Sequence, residues 1–298
     1  MAAPIALFVY NRPFHTSCTI EALANNIYAN DSELIIFSDG PKAESDKKQV
    51  AEVRDFIRTI RSFKTIRIVE SETNKGLANS IIEGVTEVLK SNETIIVLED
   101  DLITSPHFLQ YMNEGLDLYQ HEERVISIHA YMYPVKEKLP ETFFVRGADC
   151  WGWATWSRGW KMFEPDGKKL FDELKRMDLL KEFDFGYTYP YTKMLRKQIA
   201  GKNNSWAIRW YASAFIHEKL TLYPGKSYVQ NIGNDASGTH SRVTNQFEID
   251  KLNVKLPSGK IEIKEDIHTR RIISEYFHSI AQNPIQKFIG TLLVLWRK

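Results

Sequence analysis

The stretch Ile95-Ile96-Val97-Leu98-Glu99-Asp100-Asp101-Leu102 decides how this chain is read. Four aliphatic residues in a row mark a strand buried on both faces, and three acids follow with no spacer. With 38 acids among 298 residues, random order gives about 0.6 such runs, so the run alone says little. Its position says more. Buried strands seldom end in three carboxylates unless something positive offsets their repulsion, and a divalent cation bridging two phosphates does so. Hard Mg2+ or Mn2+ favours carboxylate oxygen. A helix beginning near Ser105-Pro106 completes a strand-to-helix junction; the alternative is a solvated strand end.

Toward the N-terminus the same alternation repeats. Residues 5–10, 34–37 and 66–69 read as strands. Between them, apolar residues recur at helical spacing: Ile20, Leu23, Ala24 and Ile27; Val50, Val53, Ile57 and Ile60; then Leu77, Ile81, Val85 and Leu89. Strand and helix alternating this way predict an α/β fold with a mostly parallel, doubly wound central sheet flanked by helices. Ligands of such sheets sit beyond the carboxyl ends of the strands. Those ends carry Asn11-Arg12, Asp39 and Glu99-Asp100-Asp101, groups suited to a base, a ribose, phosphates and a metal. The forked guanidinium of Arg12 suits phosphate. Asp39, before Gly40-Pro41, fits a turn as well as a nucleotide contact. Asn74-Lys75-Gly76 is either a phosphate contact ahead of a helix or a plain lead-in loop.

Beyond residue 125 the composition changes, and six of the seven tryptophans fall between Trp151 and Trp210. Strand-like pieces at 125–129 and 143–146 flank residues 149–156, and a helix is predicted over 206–218. This half reads as packed onto the same sheet, which divides the chain into 1–125, 126–245 and a C-terminal extension, 246–298. Trp151-Gly152-Trp153 sets a residue without a side chain between two rings; it is either core or a loop that a ligand approaches closely. His240 ends a glycine-bearing polar stretch and is either an ordinary loop residue or a metal ligand.

Several classes are excluded. Lys+Arg is 39 and Asp+Glu is 38, a net charge of +1, so no global field recruits nucleic acid. Cys18 and Cys150, the only cysteines, cannot build a disulfide framework or a zinc cluster, which points to a reduced, cytoplasmic setting. The N-terminal apolar run is too short and lacks the basic leader of a signal peptide. No phosphate-binding G-x-x-x-x-G-K-[ST] loop, G-x-G-x-x-G fingerprint or G-x-S-x-G elbow occurs. Near the end, Ile285, Phe288, Ile289, Leu292, Leu293 and Trp296 form an amphipathic stripe beside Lys287, Arg297 and Lys298. Such a helix either lies at the inner face of a membrane or docks on the protein's own core.

In their order, these landmarks resemble the nucleotide-sugar-dependent glycosyltransferases of the GT-A fold. Nearer still are bacterial sugar transferases related to the N-acetylglucosaminyltransferase I group. The resemblance rests on Phe8-Val9-Tyr10-Asn11-Arg12-Pro13, Ser38-Asp39-Gly40, Asn74-Lys75-Gly76-Leu77-Ala78, Val97-Leu98-Glu99-Asp100-Asp101-Leu102, Gly152-Trp153-Ala154 and Gly238-Thr239-His240. It implies a metal-dependent transfer, with Mn2+ or Mg2+, from a UDP-sugar to a cell-surface or lipid-linked glycan. Residues 1–125 would then bind the donor and 126–245 the acceptor. Arg12, Asp39, Lys75, Glu99 and Asp100 would hold the nucleotide, with Asp39 reading the uracil edge. Asp101 would bind the metal, with His240 beside it, and Trp151, Trp153, Trp206 and Arg209 would line the acceptor side. One departure stands out. The related group keeps a carboxylate between tryptophans as base, whereas Trp206-Ala207-Ile208-Arg209-Trp210 has none. Asp149 is the substitute, with Asp184 behind it. The rival readings are a nucleotidyltransferase and a glycan-binding protein without turnover.

Overall fold

The computed structural model describes residues 2–235 and 244–282. His240 and the stripe that starts at Ile285 lie outside them. The first half runs β1 (Ile5–Val9), α1 (Pro13–Ala24), β2 (Glu33–Ser38), α2 (Lys47–Ile57), β3 (Thr65–Glu70), α3 (Leu77–Val88) and β4 (Thr94–Glu99). Then come β5 (Leu102–Thr104), α4 (Phe108–Leu118), β6 (Val125–His129), β7 (Thr142–Arg146), β8 (Trp153–Trp156), α5 (Ser157–Trp160) and α6 (Gly167–Arg176). The chain continues through α7 (Leu180–Phe183), α8 (Tyr191–Ile199), α9 (Trp206–Ile216), β9 (Leu220–Pro224), β10 (Val229–Asn231) and α10 (Ile267–Gln282).

Local chemistry sets the helix starts. Pro13 opens α1, where its missing N–H would have no partner anyway. Asp166 caps α6 through the amides of Lys168 and Lys169, and Ser205 caps α9 through that of Ile208. The periodicity carried the first helix on to Ile27, but α1 stops at Ala24. There the Asn25 and Asn26 side chains donate back to the Glu21 and Ala22 carbonyls, and Ile27 is left exposed.

Eight strands form one sheet in the order β3-β2-β1-β4-β8-β6-β9-β7. Only β8 and β7 run against the rest, so the α/β fold with a mostly parallel sheet is the fold observed. Alternate side chains feed two layers. Leu7, Val9, Ile36 and Leu98 pack with Ile20 of α1 and Met112 of α4, while Ala6, Phe8, Ile35 and Val97 pack with Ile81 and Val85 of α3 and Trp210 of α9. A third cluster joins α6, α8, α9 and α10 over β7, so the extension packs on the last strand of the sheet. No helix among the described residues is long and apolar enough to cross a membrane.

The Trp151-Gly152-Trp153 loop needs correction. Trp153 begins β8, is 0% exposed, and packs on Trp206, Trp210 and Trp160 with ring centroids 5.4, 5.7 and 5.8 Å away. Trp206 is buried as well. Neither ring has a free face for a sugar. Gly152, at φ 66°, explains the divided fates of its neighbours: the left-handed step breaks the pleat. Trp151 therefore joins Tyr131 and Phe247 in the opposite layer and stays half-buried. Trp153→Ala is expected to cost about 3–5 kcal/mol, as for a fully buried large ring. Trp151→Ala should cost less than half of that; urea unfolding of both variants checks the contrast.

Candidate active site

The acidic run forms the turn between β4 and β5. Its backbone is held by Thr19 of α1, whose hydroxyl donates to the Asp100 carbonyl at 2.8 Å and accepts from the Leu102 amide at 3.1 Å. The Ile232 amide, just past β10, donates to the Asp101 carbonyl at 2.8 Å. Because β1 pairs with β4, Arg12 leaves the end of β1 beside this turn. Its guanidinium is bonded to Asp100 and lies 3.0 Å from Asp101 Oδ2. Burial opposes the Arg12 charge, but Asp100 and Asp101 more than offset that, and the net shift is upward. Burial and its two acidic neighbours push Glu99 up to about 8, against the pull of Arg12 and a hydrogen bond from Trp206. Asp100 is raised by burial too, opposed by Arg12. Arg12 is therefore at the rim where the sequence put it, but its fork faces the acids of the turn.

Gly233 presses on the same point. A Cβ there would lie 2.1 Å from Asp101 Oδ2 and 3.0 Å from Arg12 Nη1. The glycine-bearing stretch thus reaches the acidic turn at Gly233, ahead of His240. Just beyond it, Asp235 meets His15 of α1 at 3.1 Å.

Asp39 stands at the end of β2 with both oxygens engaged. Oδ1 accepts from the Gly40 and Lys75 amides, and Oδ2 from the Gly76 amide and the Asn74 side chain, at 2.8–3.1 Å. A carboxylate offers about four acceptor sites, so none remains for a uracil edge. Asp39 builds the 74–76 loop instead. Lys75 turns its Nζ to Glu83, 2.6 Å away, not toward the acidic turn.

On the second half of the rim, Val97 pairs with Trp153 and Trp153 with His129, which brings the loop before β8 and the end of β6 to the carboxyl end of β4. Asp149 lies in that loop. Its Oδ1 accepts from the Cys150 amide at 2.8 Å, and its Oδ2 from the Tyr133 and Tyr223 hydroxyls at 3.1 and 3.5 Å. Its side chain is 22% exposed, and His129 Nε2 stands 3.9 Å from Oδ2. Sequence reading missed His129, Tyr133 and Tyr223, which share no motif and meet only through strand pairing.

Two expected site residues serve the fold. Asp184 is buried and caps α8 through the Thr192 amide at 2.6 Å; burial raises its pKa. Arg209 is buried on α9 and binds the Ser205 and Pro165 carbonyls and Asn204 Oδ1, a clamp on neighbouring loops. Burial lowers its pKa.

Over residues 5–202 the sequence matches the family described as Glycosyl transferase family 2. That match covers more than half of the chain and places it in the glycosyltransferase class: the chain belongs to this family. Among solved structures, TarS 1–349 of S. aureus in complex with UDP-GlcNAc is 12% identical, with a TM-score of 0.42 over 77% of this chain and 58% of that one. The mannosyltransferase PcManGT from Pyrobaculum calidifontis, in complex with GDP-Man and Mn2+, is 13% identical, with a TM-score of 0.35 over 45% of this chain and 36% of that one. A UDP-glucose pyrophosphorylase complexed with UDP-glucose is 14% identical, with a TM-score of 0.35 over 74% and 90% of the two chains. The match covers from 25% to 60% of the TarS and PcManGT chains. No curated protein matches.

Two outcomes test the geometry. Gly233→Ala sets a methyl group against Asp101 Oδ2 and should cost about 1–3 kcal/mol, the penalty of overpacking, in urea unfolding. Asp39→Asn sets an amide donor against backbone donors and should cost about 1–3 kcal/mol. Urea unfolding, with faster proteolysis at 74–76, reads the second.

Proposed function

We propose that the chain transfers a sugar from a nucleotide-sugar donor, UDP-linked, to a hydroxyl of a glycan, either a cell-surface polysaccharide or a lipid-linked glycan. The observation that carries the reading is the turn Asp100-Asp101, held against Arg12 on the same rim as Asp149. The UDP choice rests on the resemblance of the ordered motifs to nucleotide-sugar enzymes. Half-buried Trp151 and the aromatic residues beside Asp149 support a sugar acceptor.

Asp100 and Asp101 supply hard carboxylate oxygens, and among the described residues no group of three or more His, Cys, Asp or Glu side chains forms a closed metal site. That donor set fits Mn2+ or Mg2+, which takes one or two carboxylates and completes its shell with water and substrate phosphate. When bound, the cation supplies positive charge to the departing diphosphate. Arg12 adds a fixed charge at the same point, available once the acids it faces have another partner. The fourth acceptor site of Asp149 takes the proton of the attacking hydroxyl. The Lys75 and Gly76 amides of the 74–76 loop are taken by Asp39, so a nucleotide there would meet the N–H groups of the first turn of α3 itself. The stripe from Ile285 to Trp296 would bring the enzyme to a membrane that carries the acceptor.

Release of UDP from UDP-glucose, UDP-galactose and UDP-N-acetylglucosamine, with free hexoses as acceptors, tests the reading. Asp101→Asn and EDTA should each abolish release without unfolding the protein, and UDP should raise the melting temperature more than GDP. Asp149→Asn should cut kcat about 10²–10⁴-fold while UDP binding stays intact. Full activity in EDTA, or of Asp101→Asn, would refute the metal-dependent mechanism.

A further inference from the structure

The turn between α7 and α8 holds a conformation that its residues would not choose. Phe185, Gly186 and Tyr187 follow one another in the left-handed region, at φ 51°, 73° and 68°. Glycine adopts it freely, but phenylalanine and tyrosine do so only where their surroundings impose it. Here α10 does. Its Ser274, together with Thr188, donates a hydroxyl to the Phe185 carbonyl, at 2.7 and 2.9 Å, and its Arg270 lies over the Phe185 ring. Strain kept in place this firmly is typical of ligand clamps. What the turn delivers is Tyr189. Its amide is bonded to the Asp184 carbonyl, and its ring packs on Phe277 and Tyr191, with centroids 4.4 and 4.6 Å away. Phe277 in turn touches Tyr133, whose hydroxyl donates to Asp149. The Tyr189 hydroxyl, within the fields of Asp149 and Cys150, has no hydrogen-bond partner among the described residues.

Around Tyr189 the rings form one patch. Tyr133 stands in the middle, with Tyr276 and Phe247 at 6.0 and 6.5 Å, and Phe247 meets Trp151 at 5.5 Å. All five are half-buried, whereas the tryptophan wall of β8 and α9 is closed. Partly exposed rings suit the C–H face of a sugar, and a hydroxyl at their edge suits its O–H groups. Phe247 and Tyr276 stand beyond residues 5–202, which match the family, so the extension builds this end of the patch.

We propose that Tyr189 selects the acceptor: its hydroxyl binds a second hydroxyl of the sugar ring whose attacking hydroxyl faces Asp149. The apolar face of that ring rests on Trp151. The acceptor is then a sugar ring with at least two free hydroxyls, and a lone alcohol does not satisfy the site. Burial, with Asp149 and Cys150 beside it, pushes the Tyr189 phenol up to about 12, so it keeps its proton to donate at neutral pH. Because α10 fixes the turn before the acceptor arrives, little freedom is lost when the bond forms.

This assignment rests on the proposed transfer to a sugar, and the experiment separates the two. UDP release from the most active of the three UDP-sugars is followed with glucose, galactose and mannose as acceptors. Tyr189→Phe removes one oxygen and keeps the ring, so its melting temperature should stay that of wild type. With the hexose that most accelerates release, it should raise the acceptor KM about tenfold, the equivalent of one hydrogen bond. UDP should still raise its melting temperature as it does for wild type. One monodeoxy form of that hexose should raise the wild-type KM by the same factor and be indifferent to Tyr189→Phe, because its bond is already gone. An unchanged acceptor KM in Tyr189→Phe, or equal sensitivity of every reactive monodeoxy form to it, would overturn the role of Tyr189. UDP release that no hexose accelerates would instead overturn the sugar acceptor itself.

Discussion

The guanidinium of Arg12 against Asp100 and Asp101 is the interaction on which this site depends. Three consecutive carboxylates at the end of a buried strand repel one another where little water can screen them. Glu99 answers by holding its proton more tightly, and Asp100 and Asp101 by sharing Arg12. The pairing of β1 with β4 makes this possible, because it sets the ends of the two strands side by side. Thr19 and Ile232 then hold the turn with hydrogen bonds, and Gly233 leaves the room that the Asp101 side chain occupies. Any cation or diphosphate that enters meets charges already paired, so binding is an exchange of partners and not the filling of a bare acidic pocket.

Two aspartates on the same rim show how environment divides labour. Asp39 accepts four hydrogen bonds and has no acceptor site left, which makes it an architectural anchor for the 74–76 loop. Asp149 accepts three and keeps an exposed edge, with a neutral imidazole behind it. A carboxylate with an open site at a solvent-facing edge can do proton chemistry; one enclosed by amides cannot without dismantling its loop.

The tryptophans divide in a similar way. Trp153, Trp206, Trp210 and Trp160 form a packed wall between the sheet and α9, and part of the site rests on that wall because Trp206 also touches Glu99. Trp151, one glycine earlier, lies in the other layer with Tyr131 and Phe247. A cluster that looks uniform in sequence is thus both core and candidate binding surface, separated by one left-handed residue.

By itself the sequence determined the strand and helix alternation, the mostly parallel sheet, and the rim on which Arg12, Asp39 and the acidic run gather. Those features follow from local periodicity and from the rule that strand ends carry ligands, and both can be read along one segment at a time. The tertiary structure alone decided what each side chain does there. That Arg12 faces the acids, that Asp39 is saturated, and that His129, Tyr133 and Tyr223 converge on Asp149 all depend on contacts between residues far apart in the chain, while Asp184 and Arg209 are turned into a cap and a clamp by the packing of helices and their loops. Hydrogen-bond saturation and burial are properties of neighbours in space, and no spacing along the chain encodes them.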